Sequence, residues 1–206
     1  MSSEIKVTNI KHESSGSNNL VLASDGNVSI TNTLSAGTIG SGVVFPNGTL
    51  VKSEFYKYTS GDKDTTSETL KAVRNYQSFS CTVGNTIIFQ FNFLCEQFGN
   101  GQSTGTRRGI ATAYQSTSAV LEDATSLGTA LNQMVIGRIL TTNSSAGVSG
   151  YFPTLIQGSF VATNTTHYLG LASKTLADVT VTFRVSQTST RPLTLSIFEY
   201  KGDILT

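Results

Sequence analysis

Few residues of this chain have the type and spacing that catalysis requires. His12 and His167 are its two histidines, and neither has a Cys, Asp or Glu at a spacing typical of a metal site. His167 precedes Tyr168 at the start of a run with strand character, which predicts a surface or rim position. The sequence contains no G-x-S-x-G nucleophile elbow, phosphate-binding loop or dinucleotide fingerprint.

The carboxylates offer two weak patterns. Asp62, Asp64 and Glu68 imitate the start of a calcium loop, but the full ligand pattern is missing, which favours a solvated turn. Glu122 and Asp123 are adjacent, whereas a glycan-degrading enzyme needs two carboxylates facing one groove. Because neighbours on a loop usually face water, we expect no catalytic, metal or cofactor site and no enzymatic activity.

The two cysteines are predicted to be free thiols. A short turn at Gly84 and Asn85 would place Cys81 opposite a residue near Ile88 rather than opposite Cys95. Free thiols suit folding in a reducing cytoplasm, and the opening M-S-S-E-I-K lacks the apolar run of a signal peptide. We therefore expect assembly in the cytoplasm without a signal peptide.

Composition excludes several partners. Charged residues make up 13% of the 206 residues, about half the usual share, and the formal net charge is +1. Arg107-Arg108 is the one clear basic doublet, so the sequence offers no basic patch that would bind nucleic acid or a membrane surface. No apolar stretch is long enough to insert into a membrane.

Strict alternation near the C-terminus predicts two strands joined by a turn, Val179–Val185 and Leu193–Tyr200. In the second strand, one face carries leucine and isoleucine, and the other ends in Phe198 and Tyr200. Two aromatic rings gain nothing on a solvated face. Either a second sheet of the same sandwich covers them, or another copy of the chain does.

The run T-I-I-F-Q-F-N-F-L-C predicts the best core strand, because its phenylalanines share one face. Eight or so short strands with regular turns favour an all-β fold, a jelly-roll sandwich over residues 69–206. The predicted core residues are Ile87, Phe89, Phe91, Phe93, Val181, Phe183, Leu195 and Ile197. Residues 117–133 fit either a helix, from apolar spacing behind Ser118, or an irregular crossing loop, since Gly128 and many Thr and Ser oppose a helix.

Residues 1–52 are predicted to form an extended β stalk or anchor, followed by a junction at 53–68. Their apolar residues arrive in ones and twos between Gly-containing turns, too thinly to be buried in one chain. Three copies around one axis would bury them, with each strand paired to a neighbouring chain; a disordered linker is the alternative. The stalk positions are Leu20, Leu22, Val28, Ile30, Leu34, Ile39, Val43 and Phe45.

Two resemblances follow from these segments. The units S-E-I-K-V-x-x-I, L-V-L-A-S-D-G-N-V-S-I-T, S-A-G-T-I-G-S-G-V and F-P-N-G-T-L-V resemble the N-terminal parts of tailed-phage fibre proteins, particularly of marine phages. The order T-T-H-Y-L-G-L-A, V-T-V-T-F-R-V, L-S-I-F-E-Y is similar to the end of a trimeric jelly roll of the C1q and tumour-necrosis-factor type.

These resemblances imply a homotrimeric phage virion protein. Phe198 and Tyr200 would lie near the threefold axis, and the N-terminal segment would bind other virion proteins. The leading expectation is a tail fibre that attaches to a host-surface glycan or protein. A head fibre or capsid decoration is one alternative, and a soluble C1q-like ligand-binding module is another.

Overall fold

A computed structural model of the chain describes residues 8–10, 20–22, 28–30, 46–98, 105–140, 150–176 and 182–205. The chain divides into two compact units, Met1–Val44 and Phe45–Thr206. Every regular element in the described ranges is a β-strand, and all pairings between these strands are antiparallel.

The first unit contains a small sheet of three strands in the order β1-β2-β3, namely β1 (Asn9–Ile10), β2 (Leu20–Leu22) and β3 (Val28–Ile30). β2 and β3 pair within one chain, with Leu20 opposite Ile30. The stalk prediction had each of these strands paired with a neighbouring chain, whereas here they pair with one another. Of the other stalk positions, Leu34, Ile39, Val43 and Phe45 lie outside the described residues.

Eleven described strands build the second unit. They are β4 (Leu50–Tyr58), β5 (Lys63–Thr65), β6 (Lys71–Ala72), β7 (Gln77–Ser80), β8 (Thr86–Phe98), β9 (Gly105–Ser116), β10 (Thr129–Leu140), β11 (Gly150–Val161), β12 (Thr166–Leu176), β13 (Thr182–Ser186) and β14 (Leu193–Tyr200). β4 and β5 fall within the range assigned to the stalk end and junction, so this range contributes strands to the sandwich.

These strands form two antiparallel sheets. The first sheet contains β4, β5, β8, β11, β13 and β14, and the second contains β6, β7, β9, β10 and β12. The pairs are nested along the chain: β4 with β14, β7 with β12, β8 with β11, and β9 with β10. This nesting is the connectivity of a jelly roll.

At three places in the sandwich, two consecutive strands lie end to end and are separated by a short irregular segment. β4 pairs with β14 and β5 pairs with β13, so that Tyr58 lies opposite Leu193 and Lys63 lies opposite Val185. β6 and β7 likewise share one edge of β12. Irregular backbone at residues 59–62, 73–76 and 187–192 fills the breaks, so polar loop residues enter the flank of the sandwich.

The core lies between the two sheets. Seven predicted core residues are each at most 4% exposed: Ile87, Phe89, Phe91, Phe93, Phe183, Leu195 and Ile197. Val181, the eighth, lies outside the described residues. The sheets approach closely at Gly109, where a Cβ atom would overlap the ring of Phe183. A side chain at this glycine would force the sheets apart.

Residues 117–128 form an irregular crossing loop, and β10 begins at Thr129. Val120 and Leu127 are buried beside Tyr76 and two alanines in a second apolar cluster. The backbone is tied to the second sheet because the amide of Tyr76 donates to the carbonyl of Val120 at 3.0 Å. The helix alternative is therefore wrong, since Val120 and Leu127, whose spacing suited a helix, are buried from an irregular loop instead.

Candidate functional site

Arg184 on β13 organises a cluster of carboxylates on the outer face of the first sheet. Its Nε and Nη2 donate to the two carboxylate oxygens of Asp64 at 2.6 and 2.9 Å. Its Nη1 lies 3.3 Å from Glu96 Oε2 and 3.5 Å from Asp62 Oδ2. The hydrogen bond to Asp64 and the surrounding negative charge raise the pKa of Arg184.

This cluster accounts for two carboxylates of the calcium-like pattern. Asp62 and Asp64 converge on a guanidinium, and Glu68 is exposed. Across the described residues, no three His, Cys, Asp or Glu side chains are grouped so as to hold a metal ion. All three carboxylates are exposed, as expected for a solvated turn, and Arg184 pairs two of them with β13.

A polar pocket of about 450 Å³ lies beside this cluster, where the three strand interruptions meet the crossing loop. Its lining comes from four separate segments: Ser60, Gly61, Asp62 and Lys63; Arg74 and Asn75; Glu122; and Gln187. The volume is within the range of about 300–1,000 Å³ that is typical of ligand pockets.

Most charged groups of the pocket already have partners. Asp62 Oδ1 accepts hydrogen bonds from Ser186 Oγ at 2.9 Å and from the amide of Gln187 at 3.1 Å. Lys63 forms an ion pair with Glu122. The backbone amide of Glu122 donates to Asn75 Oδ1 at 2.8 Å, which ties the crossing loop to the pocket wall.

Arg74 differs from the other charged residues of the pocket. Its Cζ lies 3.5 Å from the ring centroid of Tyr58, a cation–π contact, and its Nε donates to the carbonyl of Asn75 at 3.3 Å. Among the described residues, no carboxylate forms an ion pair with it. Burial lowers its pKa, but an arginine stays protonated at neutral pH.

Gln187 forms the buried wall of the pocket. Its side chain is 1% exposed, and its Nε2 has no hydrogen-bond partner among the described residues. Its backbone is fixed, because its amide donates to Asp62 and its carbonyl accepts from Gly61. Leaving a buried amide unpaired costs about 1–3 kcal/mol, so this donor is an energetically unfavourable feature of the pocket wall.

Sequence reasoning noted Asp62 and Glu122 as loop carboxylates, and the structure brings both to this pocket. It missed Arg74 and Gln187, because residues so far apart in sequence meet only through the jelly-roll connectivity. The polar stretches at 59–62 and 187–192 were the available signal, since each interrupts a run of alternating apolar residues.

A second feature is the outer face of the first sheet, where β4, β14 and β8 lie side by side. Phe198 and Tyr200, the predicted trimer contacts, point to this face and are half-buried, while Phe55 on β4 is 66% exposed. The paired outward positions form three rows: Ser53-Phe198-Ile88, Phe55-Ser196-Gln90 and Lys57-Thr194-Asn92. Lys57 is the one charged residue among these nine.

Phe55 was missed by sequence reasoning because its segment was assigned to the junction. Its alternation, V-K-S-E-F-Y-K-Y, is the strand signal that could have found it.

His167 is buried at 1% exposure, so the predicted rim position is wrong. Its Nε2 accepts from the amides of Thr163 and Asn164, both at 3.2 Å, and its Nδ1 lies 2.6 Å from the side-chain amide of Gln115. Burial lowers its pKa, which keeps the ring neutral. It acts as a structural acceptor that closes the turn before β12. His12 lies outside the described residues.

Cys81 and Cys95 are free thiols. Burial raises the pKa of Cys95 to about 12 and that of Cys81 to about 11. Neither sulfur is therefore an activated nucleophile at neutral pH, because the thiolate is the reactive form.

Comparisons with known proteins give a distant likeness. No known protein family matches the chain, and no curated protein sequence matches it. Its fold is similar to the structure of the infectious bursal disease virus Gt strain, with 13% identity and a TM-score of 0.31 over 89% of this chain and 46% of that one. A mutant VP2 protein of the same virus, in T=1 particles, gives 12% identity and a TM-score of 0.32 over 80% and 40%.

The chain thus spans less than half the length of these viral proteins. At these identities and TM-scores, the likeness assigns no function to the chain. Within the described ranges, no helix has the length and apolar character needed to cross a membrane.

Proposed function

We propose that this protein is a homotrimeric structural component of a tailed-phage virion, a tail fibre whose jelly roll attaches to the host surface. Residues 1–44 would act as stalk and anchor to other virion proteins, consistent with the resemblance of their sequence to phage fibre proteins. The protein would act by adhesion and not as an enzyme, and its partners would not include nucleic acid.

The observation that carries the proposal is that the two ends of the sandwich differ: the chain enters and leaves at one end, and the polar pocket lies toward the other. The chain enters and leaves at one end, where the amide of Gly48 donates to the carbonyl of Lys201 at 2.9 Å and the amide of Lys201 donates to Thr49 at 2.8 Å. The polar pocket begins at Ser60, past the other end of β4. A strand of nine residues spans roughly 25–30 Å, so an anchored sandwich would hold the pocket away from the particle.

The outer face of the first sheet supports the trimeric state. Three apolar side chains, Phe55, Phe198 and Ile88, lie on this face among polar but mostly uncharged neighbours, and the ring of Phe55 is 66% exposed to water in the single chain. A subunit contact over Phe55 and Phe198 would bury both rings.

Two measurements test the proposal. Light scattering of the purified full-length chain is expected to give three times the 21.9 kDa mass of one chain, and a monomer at all concentrations would refute the assembly. Immunogold electron microscopy of phage particles whose genome encodes the chain is expected to label the tail fibres. Label on the head would establish the head fibre or decoration protein instead.

A further inference from the structure

The geometry points to a specific ligand class for the polar pocket: we propose that it binds a neutral saccharide unit through the sugar's hydroxyl groups. The inference rests on the proposed attachment function, because a host-surface glycan would present such a unit. The argument uses the unpaired groups of the pocket, its charge balance and its shape.

The pocket presents unpaired donors and partly used acceptors together. Gln187 Nε2 is a buried donor without a partner, and the outer nitrogens of Arg74 have no carboxylate partner among the described residues. The carboxylates of Asp62 and Glu122 accept further hydrogen bonds beyond those they already receive. A hydroxyl group both donates and accepts, so a polyol satisfies both kinds of group.

The charge balance favours a neutral ligand. The lining contains two cations, Lys63 and Arg74, and two anions, Asp62 and Glu122. A carboxylate ligand only accepts hydrogen bonds and would face both acidic side chains. An ammonium ligand only donates and would face Arg74 and Lys63. A ligand of either charge would therefore be attracted by two of these side chains and repelled by the other two, so a net charge brings it no advantage.

The shape of the pocket agrees with a sugar ring. Arg74 is held over the Tyr58 ring and its Nε is occupied by the carbonyl of Asn75, which leaves the two outer nitrogens of the planar guanidinium to match a pair of vicinal hydroxyls. The backbone of Gln187 is fixed at both of its polar groups, so little conformational entropy is lost on binding. Residues from four segments therefore present hydrogen-bonding groups to one volume of about 450 Å³.

The test uses the full-length protein and three methyl glycosides that share one ring: glucoside (neutral), glucuronide (anionic) and glucosaminide (cationic). Saturation-transfer NMR and calorimetric titration would measure binding. We expect the glucoside to bind with a dissociation constant in the range of about 1 mM, which suits a single ring, and both charged analogues to bind more weakly. Methyl galactoside and methyl mannoside would extend the neutral series.

Two variants assign the binding to this pocket. Gln187→Leu removes the buried donor at similar volume, and Arg74→Lys retains the charge but loses the planar pair of nitrogens. Each is expected to weaken neutral-sugar binding about tenfold, the effect of losing one good hydrogen bond. Gln133→Leu, an exposed glutamine outside this pocket, is the matched control and should bind normally. Circular dichroism on each sample verifies the fold. If the Gln187→Leu variant is unfolded, the binding measured with Arg74→Lys alone decides the test.

The proposal is overturned if no neutral hexoside binds, if a charged analogue binds more tightly than every neutral one, or if folded Arg74→Lys binds as the wild type does. Light scattering on the same samples separates this inference from the proposed function. A trimer that binds no neutral sugar refutes the pocket alone, whereas a monomer that binds sugar refutes the assembly alone.

Discussion

Phe91 shows how much a single residue of this fold contributes. Its ring is 1% exposed and lies 5.9 Å from that of Phe89, in an edge-to-face arrangement. Phe91→Ala is expected to lower the free energy of unfolding by about 3–5 kcal/mol, because it removes a buried ring and leaves a cavity. Denaturant unfolding would measure this against Val83→Ala, a 54% exposed control expected to stay within about 0.5 kcal/mol. Equal midpoints for the two variants would contradict the burial of the ring.

His167 makes stability depend on pH. The folded protein holds its ring neutral, with Nε2 accepting from two backbone amides, whereas the ring in the unfolded chain titrates near its ordinary pKa of about 6.5. Below about pH 6.5 the unfolded state therefore binds a proton that the folded state resists. The free energy of unfolding should fall with pH, by at most about 1.4 kcal/mol per pH unit for this group.

Denaturant midpoints between pH 7.5 and 5.5 would show the effect. His167→Gln should be less stable than the wild type at pH 7.5, and its free energy of unfolding should change less with pH. Parallel curves for wild type and His167→Gln would assign the pH dependence to other groups.

For single residues, alternation in the sequence was enough to place Phe91 and Ile197 in the core, because a strand that covers a core must turn every second residue inward. His167 shows where this reasoning ends. Its polar type and position at a strand start indicated exposure, but two unpaired amides in the turn before β12 required an internal acceptor. That requirement arises from tertiary geometry and leaves no pattern in the sequence.

Among the elements, β4 defines where the sandwich begins. It pairs with β14 along its length, and Tyr58 at its end belongs to the main core cluster. A chain of residues 45–206 should therefore keep its β-type circular dichroism and unfold cooperatively. A chain of residues 59–206 lacks β4 and exposes one side of β14, so it should lose cooperative unfolding or aggregate. Equal stability of the two chains would show that β4 is dispensable.

The boundary of the sandwich was harder to predict than its strands. Residues 53–68 contain both charged and turn-forming residues, which suggested a junction, yet Phe55 and Tyr58 lie on a paired strand. The candidate pocket was harder still, since Gln187 is an ordinary polar loop residue until the fold buries it beside Asp62. A sequence reports local periodicity, whereas a pocket depends on which distant loops become neighbours.

For the whole molecule, substituting an exposed residue of the proposed subunit contact tests whether this face holds the trimer together. Phe55→Asp introduces a carboxylate into a contact that excludes water, where an unpaired charge is costly, so the trimer should dissociate into folded monomers. Leu121→Asp is the matched control, because Leu121 on the crossing loop is 65% exposed and Phe55 is 66% exposed. Size-exclusion chromatography with circular dichroism would report assembly and fold together, and an intact trimer with Phe55→Asp would exclude this face.

Phe198→Asp combined with Tyr200→Asp examines the two predicted contact residues in the same way. Both side chains are half-buried within one chain, so the order of events is informative. Loss of the trimer before loss of the β signal would place the rings at the subunit contact. Simultaneous loss would assign them to the packing of the single chain.

The nested strand pairing also determines what happens while the chain is being synthesised. β4 is the first strand of the sandwich to leave the ribosome, and its partner β14 follows about 140 residues later. At typical elongation rates of about 5–20 residues per second, β4 and its exposed Phe55 remain without their partner for roughly 7–30 s. The nascent chain thus presents an unpaired strand that carries an exposed phenylalanine for many seconds, which makes the speed of translation and the capacity of ribosome-associated chaperones determinants of its yield.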